Sequence, residues 1–249
     1  MPKILGFCVL HYGIPYLAAA VEALYNQVDA IVILYTASPS QGFQTAFICP
    51  DTQEELMEAV KPFKDKIIWH EGTWQYEGEH VEAIRQFQEG YDWLVRFDSD
   101  EIYPEGSVNR LIEQAVHLEA QIFRVPFLHF WRSFGKVCRD GQMPDRIRRV
   151  RGGNGFAYLD DGYLLGQPEI NRVFHMGYAQ PSEYIKYKMQ VQAHRPEWRG
   201  GWFEHTWLLN KQTDVHPVIF DFWNVESFDK NLLPEVLKKH SYFSVEVID

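Results

Sequence analysis

The chain has 249 residues, with 24 Lys and Arg against 34 Asp and Glu, for a net charge of -10 at pH 7. That length supports one large core, and the acidic balance excludes nonspecific binding to nucleic acid or to an anionic membrane surface, which needs a net basic face. Cys8, Cys49 and Cys138 lie far apart with no Cys-x-x-Cys pair, which reads as reduced thiols in a cytosol-like compartment and not as a disulfide framework or a zinc site.

Residues 4–10 are an apolar run with the length of a buried strand. Residues 14–28 carry Leu17, Val21, Leu24 and Val28 at helical spacing, and residues 30–35 give a second strand. Asp51-Thr52 is a helix-start signal for an apolar face at Leu56, Val60 and Phe63. A third strand follows over 66–69, a helix over 79–91, and a fourth strand over 93–97 that runs straight into Asp98-Ser99-Asp100-Glu101. This β-α-β-α-β-α-β order predicts right-handed crossovers and a mainly parallel sheet covered on both faces. Ligands of such sheets bind beyond the carboxyl ends of the strands, which is where Asp98 to Glu101 falls. Two carboxylates one residue apart at a strand end form a hard-oxygen site for a divalent cation that bridges to phosphate. The competing reading is a strand-end turn with solvated acids.

Beyond the acids the pattern predicts a helix over 107–119 and a strand over 121–131. A basic stretch with Arg146, Arg148, Arg149 and Arg151 then ends at the turn signal Gly152-Gly153-Asn154-Gly155, with a returning strand over 156–159. An arginine there could hold a diphosphate or an anionic acceptor through bidentate hydrogen bonds, or the stretch could be a solvated hairpin. A helix over 182–193 carries Lys186 and Lys188, and another over 233–240 has Pro234 in its first turn. The aromatic content is 15% with eight Trp, and flat sugar faces stack on such rings. Each Trp reads first as core filling. Trp202 and Trp207 are the exceptions, because residues 200–207 read as a loop. No linker or internal repeat breaks the chain. Met1-Pro2-Lys3 and the following strand lack signal-peptide flanks, and no run reaches membrane-span length, so the expectation is a cytoplasmic protein without an integral membrane segment. Neither His-Glu-x-x-His nor Gly-x-Ser-x-Gly occurs.

Val9-Leu10-His11-Tyr12, Val28-Asp29-Ala30-Ile31-Val32-Ile33-Leu34, Glu82-Ala83-Ile84-Arg85 and the Asp-x-Asp strand end at Asp98 to Asp100 together resemble the GT-A fold glycosyltransferases, in particular the family 2-like group. The resemblance covers roughly the first 130 residues well. It implies a GT-A, Rossmann-like α/β fold: a mainly parallel central sheet flanked by helices, with a mixed C-terminal acceptor-side region. A single domain would span 1–249, with a nucleotide-sugar half over 1–130 and an acceptor half over 131–249. The implied activity is metal-dependent transfer of a sugar from a nucleoside diphosphate sugar, UDP-linked, to a hydroxyl of a glycan or small-molecule acceptor.

The same resemblance implies Mn²⁺ or Mg²⁺ held by Asp98, Asp100 and His175, the last from Arg172-Val173-Phe174-His175-Met176-Gly177-Tyr178, with His205 in reserve. It places His11, Tyr12, Thr36, Ser38, Arg85, Asp98, Ser99 and Lys188 around the donor. If the reaction inverts, it nominates Asp161 as catalytic base, with Asp160 and Glu101 behind it. Two departures stand out. Gly13-Ile14 occupies the place where Asn-Glu often follows the first strand. Tyr35-Thr36-Ala37-Ser38-Pro39-Ser40 lacks the usual acid after the second, and hydroxyls offer no charged acceptor. Two rival readings are a sugar nucleotidyltransferase, whose Gly-rich basic loop is missing at Leu10-His11-Tyr12-Gly13-Ile14-Pro15, and a non-catalytic carbohydrate-binding protein on the same fold.

Overall fold

The structure, a computed structural model, describes residues 2–138, 143–150, 163–164, 172–192, 199–209 and 225–249. Strands β1 (Ile4–Leu10), β2 (Ala30–Tyr35), β3 (Ile67–Glu71) and β4 (Trp93–Phe97) pair in parallel, with β1 between β4 and β2. Strands β1, β2 and β4 are buried almost throughout, which is why their sequences, Arg96 apart, are apolar runs and not alternating ones. Three later strands extend the far edge. Strand β9 (Asp145–Arg149) runs antiparallel between β4 and β6 (Ile122–Arg124), and β10 (Tyr163–Leu164) closes that side. Among the described residues the sheet order is β10-β6-β9-β4-β1-β2-β3.

The crossovers follow local signals. Helix α1 (Ile14–Tyr25) has Pro15 in its first turn, where the missing N–H costs nothing, and stops at Asn26, short of the expected 28. Asp51 closes its N-terminus by accepting from the backbone N–H groups of Gly13 at 2.6 Å and Ile14 at 3.0 Å. Helix α2 (Gln53–Val60) opens on a reciprocal capping box between Thr52 and Glu55. Helix α3 (Glu77–Glu82) passes into a 3₁₀ turn over Ala83–Phe87, so the single helix expected over 79–91 is two short pieces.

The expected strand over 121–131 also divides. Pro126 has no N–H to give a ladder, and the chain changes sheets there: β6 stays with the parallel sheet, while β7 (Phe127–Trp131) starts the second. The second sheet contains β5 (Glu101–Ile102), β7, β8 (Lys136–Cys138), β11 (Val173–Tyr178) and β12 (Val225–Ser227), in the order β12-β8-β7-β11-β5. Helix α4 (Ser107–Val116) follows β5, α5 (Ser182–Val191) follows β11, and α6 (Glu235–Lys238) lies near the C-terminal end. Because β5 begins immediately after Asp100, the acidic stretch is the joint between the two sheets. No described helix is long and apolar enough to cross a membrane.

Two expectations are corrected here. Residues 203–208 form a π-helix, not a loop, and Trp202 and Trp207 are buried against Trp131, Tyr178 and Ile185, so they fill a core and offer no stacking face to an acceptor. The arginines of β9 are not a solvated hairpin. Arg146 and Arg148 are buried, and Arg149 donates to the carbonyl oxygens of Ala115, Val116 and Leu118, closing the C-terminus of α4. Arg151, the turn at 152–155, the strand at 156–159, Asp160 and Asp161 lie outside the described residues.

Candidate functional site

Helix α1 carries the chain from β1 to β2 on one side, and β4 returns to pair on the other side of β1. Strand order therefore reverses at β1 and β4, and the carboxyl ends of those two strands open a crevice of the kind that binds ligands in α/β sheets. A cleft of about 200 Å³ lies there. The end of β1 contributes His11 and Tyr12, the end of β4 contributes Asp98, Ser99 and Asp100, and the far C-terminal part of the chain contributes His175, Gln180 and Lys188.

The approach of the two strand ends depends on Gly13. It sits at φ 147, and a Cβ added to it would fall 2.0 Å from Ser99 Oγ. Ser99 in turn donates to the Tyr12 carbonyl at 3.2 Å. This is a physical reason for glycine at the position where the resemblance leads one to expect asparagine. His11 donates from Nδ1 to the Thr36 carbonyl at 2.9 Å and accepts at Nε2 from the Tyr187 hydroxyl at 2.7 Å. That pattern uses the neutral ring, and burial, partly offset by the Thr36 bond, lowers its pKa.

The acids are not equivalent. Arg96 Nη2 lies 3.4 Å from Asp98 Oδ1 and 2.7 Å from Glu77 Oε1, while Arg146 Nη2 lies 3.3 Å from Asp98 Oδ2. Burial alone would push the Asp98 carboxyl up, but Arg96 and Arg146 pull it down to about 2. Asp100 faces the other way. Its Oδ2 accepts from Gln180 Nε2 at 3.0 Å and lies 3.7 Å from Lys188 Nζ, and its Oδ1 lies 3.7 Å from His175 Nε2. Burial raises its pKa, Lys188 pulls against that, and the Asp98 charge adds to the rise. His175 is held neutral by burial and then by Lys188, which leaves an imidazole able to act as a ligand.

His11, Tyr12, Asp98, Ser99, Asp100, His175 and Lys188 therefore come together in one cleft. Thr36, Ser38, Arg85, Glu101 and His205 do not line it. Thr36 is fully buried with its hydroxyl donating to the Ser38 carbonyl at 2.9 Å, and Ser38 faces solvent. Arg85 sits on the 3₁₀ turn after α3, paired with Glu82. Glu101 is 1% exposed and its two oxygens accept from Arg146 at 2.6 and 2.8 Å, so it has no path to an acceptor hydroxyl and is withdrawn as a base. His205 is exposed on the π-helix and is withdrawn as a ligand.

The cleft also holds residues that sequence reasoning missed: Ser40, Gln41, Glu77, His80, Arg96 and Gln180. Arg96 carried a readable signal, since a charge inside the apolar run 93–97 must find a buried partner. Among the described residues no group of three or more His, Cys, Asp or Glu side chains is already arranged around a metal position. The donor set nonetheless has the right chemistry for a hard cation. The described contacts of Asp100 with Gln180 and Lys188 both fall on Oδ2, which leaves Oδ1 toward a neutral imidazole nitrogen, and Asp98 flanks them.

No family model matches the chain, and no curated protein matches it. Solved structures similar to it include glucosyl-3-phosphoglycerate synthase from Mycobacterium tuberculosis in complex with Mg²⁺ and uridine diphosphate, at 14% identity and a TM-score of 0.36, covering 53% of this chain and 44% of that one. The same enzyme in complex with Mn²⁺ and UDP-glucose matches at 15% identity and a TM-score of 0.36, with the same coverage. S. aureus TarS 1–349 matches at 10% identity and a TM-score of 0.39, covering 59% of this chain and 47% of that one. The match thus covers less than half the length of each of these proteins.

Proposed function

We propose that the protein is a metal-dependent glycosyltransferase of the GT-A type, moving a sugar from a nucleoside diphosphate sugar, UDP-linked, to a hydroxyl of a glycan or small-molecule acceptor. The observation that carries this reading is the convergence, at the β1/β4 crevice, of the strand-end acids with His175 and Lys188 from more than seventy positions along the chain. Asp98, Asp100 and His175 are the residues that would hold Mn²⁺ or Mg²⁺, which when bound supplies Lewis-acid neutralisation of a diphosphate leaving group. Lys188 and Arg96 both line the cleft and present charged N–H donors suited to phosphate oxygens. His11 and Tyr12 form one wall against which the donor is positioned, and positioning is a large part of such catalysis. Asp161, with Asp160 behind it, is the base nominated for an inverting reaction, and retention of near wild-type rate in Asp161→Ala removes that nomination.

A non-catalytic carbohydrate-binding reading draws on one specific observation, the pairing of Asp98 with Arg96 and Arg146, which occupies a carboxylate that a transferase needs. Thermal-shift measurements with nucleoside diphosphate sugars, with and without Mn²⁺, separate the two. A donor present at about 100 times its Kd should add about 2.7 kcal/mol of stability by mass action. The transferase reading expects that gain only with Mn²⁺, its loss in Asp100→Asn, and slow metal-dependent hydrolysis of the bound donor without acceptor. Stabilisation that ignores both Mn²⁺ and the Asp100 change overturns it.

A further inference from the structure

His175 reaches the cleft from β11, and the ladder places it directly opposite two residues: Glu101 on β5 and His129 on β7. His129 is 3% exposed, and its Nδ1 lies 2.6 Å from Nδ1 of His175, with the two rings edge to face at 4.7 Å between centroids. A contact between two ring nitrogens at that distance contains one proton, donated by one ring and accepted by the other. It therefore fixes which nitrogen of His175 is engaged. The other, Nε2, is left facing Asp100 Oδ1 at 3.7 Å.

A second feature holds the same ring. A Cβ added to Gly177 would lie 2.5 Å from Cε1 and 2.7 Å from Nε2 of His175, and 3.1 Å from Lys188 Nζ. The imidazole edge thus rests on bare backbone at Gly177. Any side chain there would push the ring away from Asp100 or displace the lysine. Phe127 packs against both rings, at 5.6 Å from His129 and 5.3 Å from His175.

We propose that His129 is a positioning residue: its Nδ1 accepts the Nδ1–H of His175 and fixes the direction of that ring, so that the unprotonated Nε2 is the nitrogen presented to a divalent cation beside Asp100. His129 sits behind the ring and does not line the cleft. Its part in cation binding rests on the transferase reading above, whereas the lock itself is a property of the apo protein. Outer partners that orient ligating histidines typically change metal affinity about 10- to 100-fold when removed.

The test uses ¹⁵N-imidazole-labelled full-length protein and Mn²⁺ alone as the probe. In wild type, long-range ¹H–¹⁵N spectra should show His175 predominantly in the Nδ1–H tautomer, and a dominant Nε2–H form overturns the proposal. In His129→Leu, which removes the nitrogen but keeps a buried apolar group, His175 should show averaged tautomers and Mn²⁺ affinity by calorimetry should fall about 10- to 100-fold. His129→Asn, whose amide occupies the position of Nδ1, should restore both. Should His129→Leu not fold, wild type itself gives the reading through the ¹⁵N–¹⁵N coupling across the bond between the two Nδ1 atoms. A His175 spectrum unchanged in His129→Leu, or the absence of that coupling in wild type, overturns the lock. Wild-type protein that shows the single tautomer yet binds no Mn²⁺ overturns the metal reading and leaves the lock standing.

Discussion

At the scale of single residues, the cleft rests on a line of alternating charges: Glu77, Arg96, Asp98, Arg146 and Glu101. The last pair is the most deeply buried. Burial pushes the Glu101 carboxyl up against the pull of Arg146, and the two hydrogen bonds between them hold the first residue of β5 against β9. Removing one member of such a pair leaves the other charge uncompensated, at a cost of about 3–5 kcal/mol. Glu101→Ala should therefore lower unfolding stability by about that amount, read from urea midpoints at constant slope. A loss below about 1 kcal/mol would mean that Asp98 alone satisfies Arg146. The acids at 98 and 100 were legible in the sequence because they follow an apolar strand without a break. Their different surroundings were not, since Arg146 and Lys188 reach them only through packing of segments distant in sequence. The nomination of Glu101 as a base failed for the same reason: adjacency to Asp100 says nothing of which sheet the next residue enters.

At the scale of elements, legibility followed burial. The bounds of β1, β2 and β4 were readable to the residue because strands covered on both faces consist almost wholly of apolar side chains, Arg96 being the exception. Pro126 and the 3₁₀ turn after Glu82 defeated the same reasoning, because the change of sheet and the tightening to 3₁₀ are decided by tertiary pairing. One element contact links fold to pH. His80 on α3 donates from Nε2 to the Leu34 carbonyl at 2.7 Å, accepts at Nδ1 from the Ser40 hydroxyl at 2.8 Å, and stacks on Trp74 at 4.1 Å. The bond accepted at Nδ1 needs the neutral ring, and burial drives its pKa down to about 4 despite the Leu34 bond. A histidine depressed in the folded state binds its proton more readily when unfolded. Its stabilisation is thus complete above about pH 6.5 and is lost as pH falls toward 4, amounting to on the order of 3 kcal/mol. Chemical denaturation at pH 7 and pH 4 should show that loss in wild type. His80→Gln should remove most of the difference, and an unchanged acid limb in the variant would assign the loss to other groups.

At the scale of the whole molecule, the cleft is a joint product of both ends of the chain. Asp51, in the connection between β2 and α2, receives the N-terminal N–H groups of α1 on one oxygen and the Tyr184 hydroxyl of α5 on the other. His11 meets Tyr187 one turn further along α5, and Tyr12 packs edge-on to the same ring at 5.2 Å. The C-terminal segment locks the opposite side, where His240 stacks on Tyr16 at 4.9 Å and donates to the Pro15 carbonyl at 2.7 Å. The helix that carries Lys188 is therefore fixed to the end of β1 through a single buried carboxylate and two tyrosines. Asp51→Asn keeps the shape but turns one acceptor oxygen into a donor that faces either two N–H groups or a hydroxyl. A buried group left unmatched in this way costs about 1–3 kcal/mol. The variant should lose that much stability. Because α5 loses its anchor, it should also weaken the nucleoside diphosphate binding proposed for the cleft by more than Tyr184→Phe, which deletes one hydroxyl and leaves the α1 contacts intact. Calorimetric titration of the two variants compares them directly, and equal affinities would show that α5 is held by the His11 and Tyr187 contact alone.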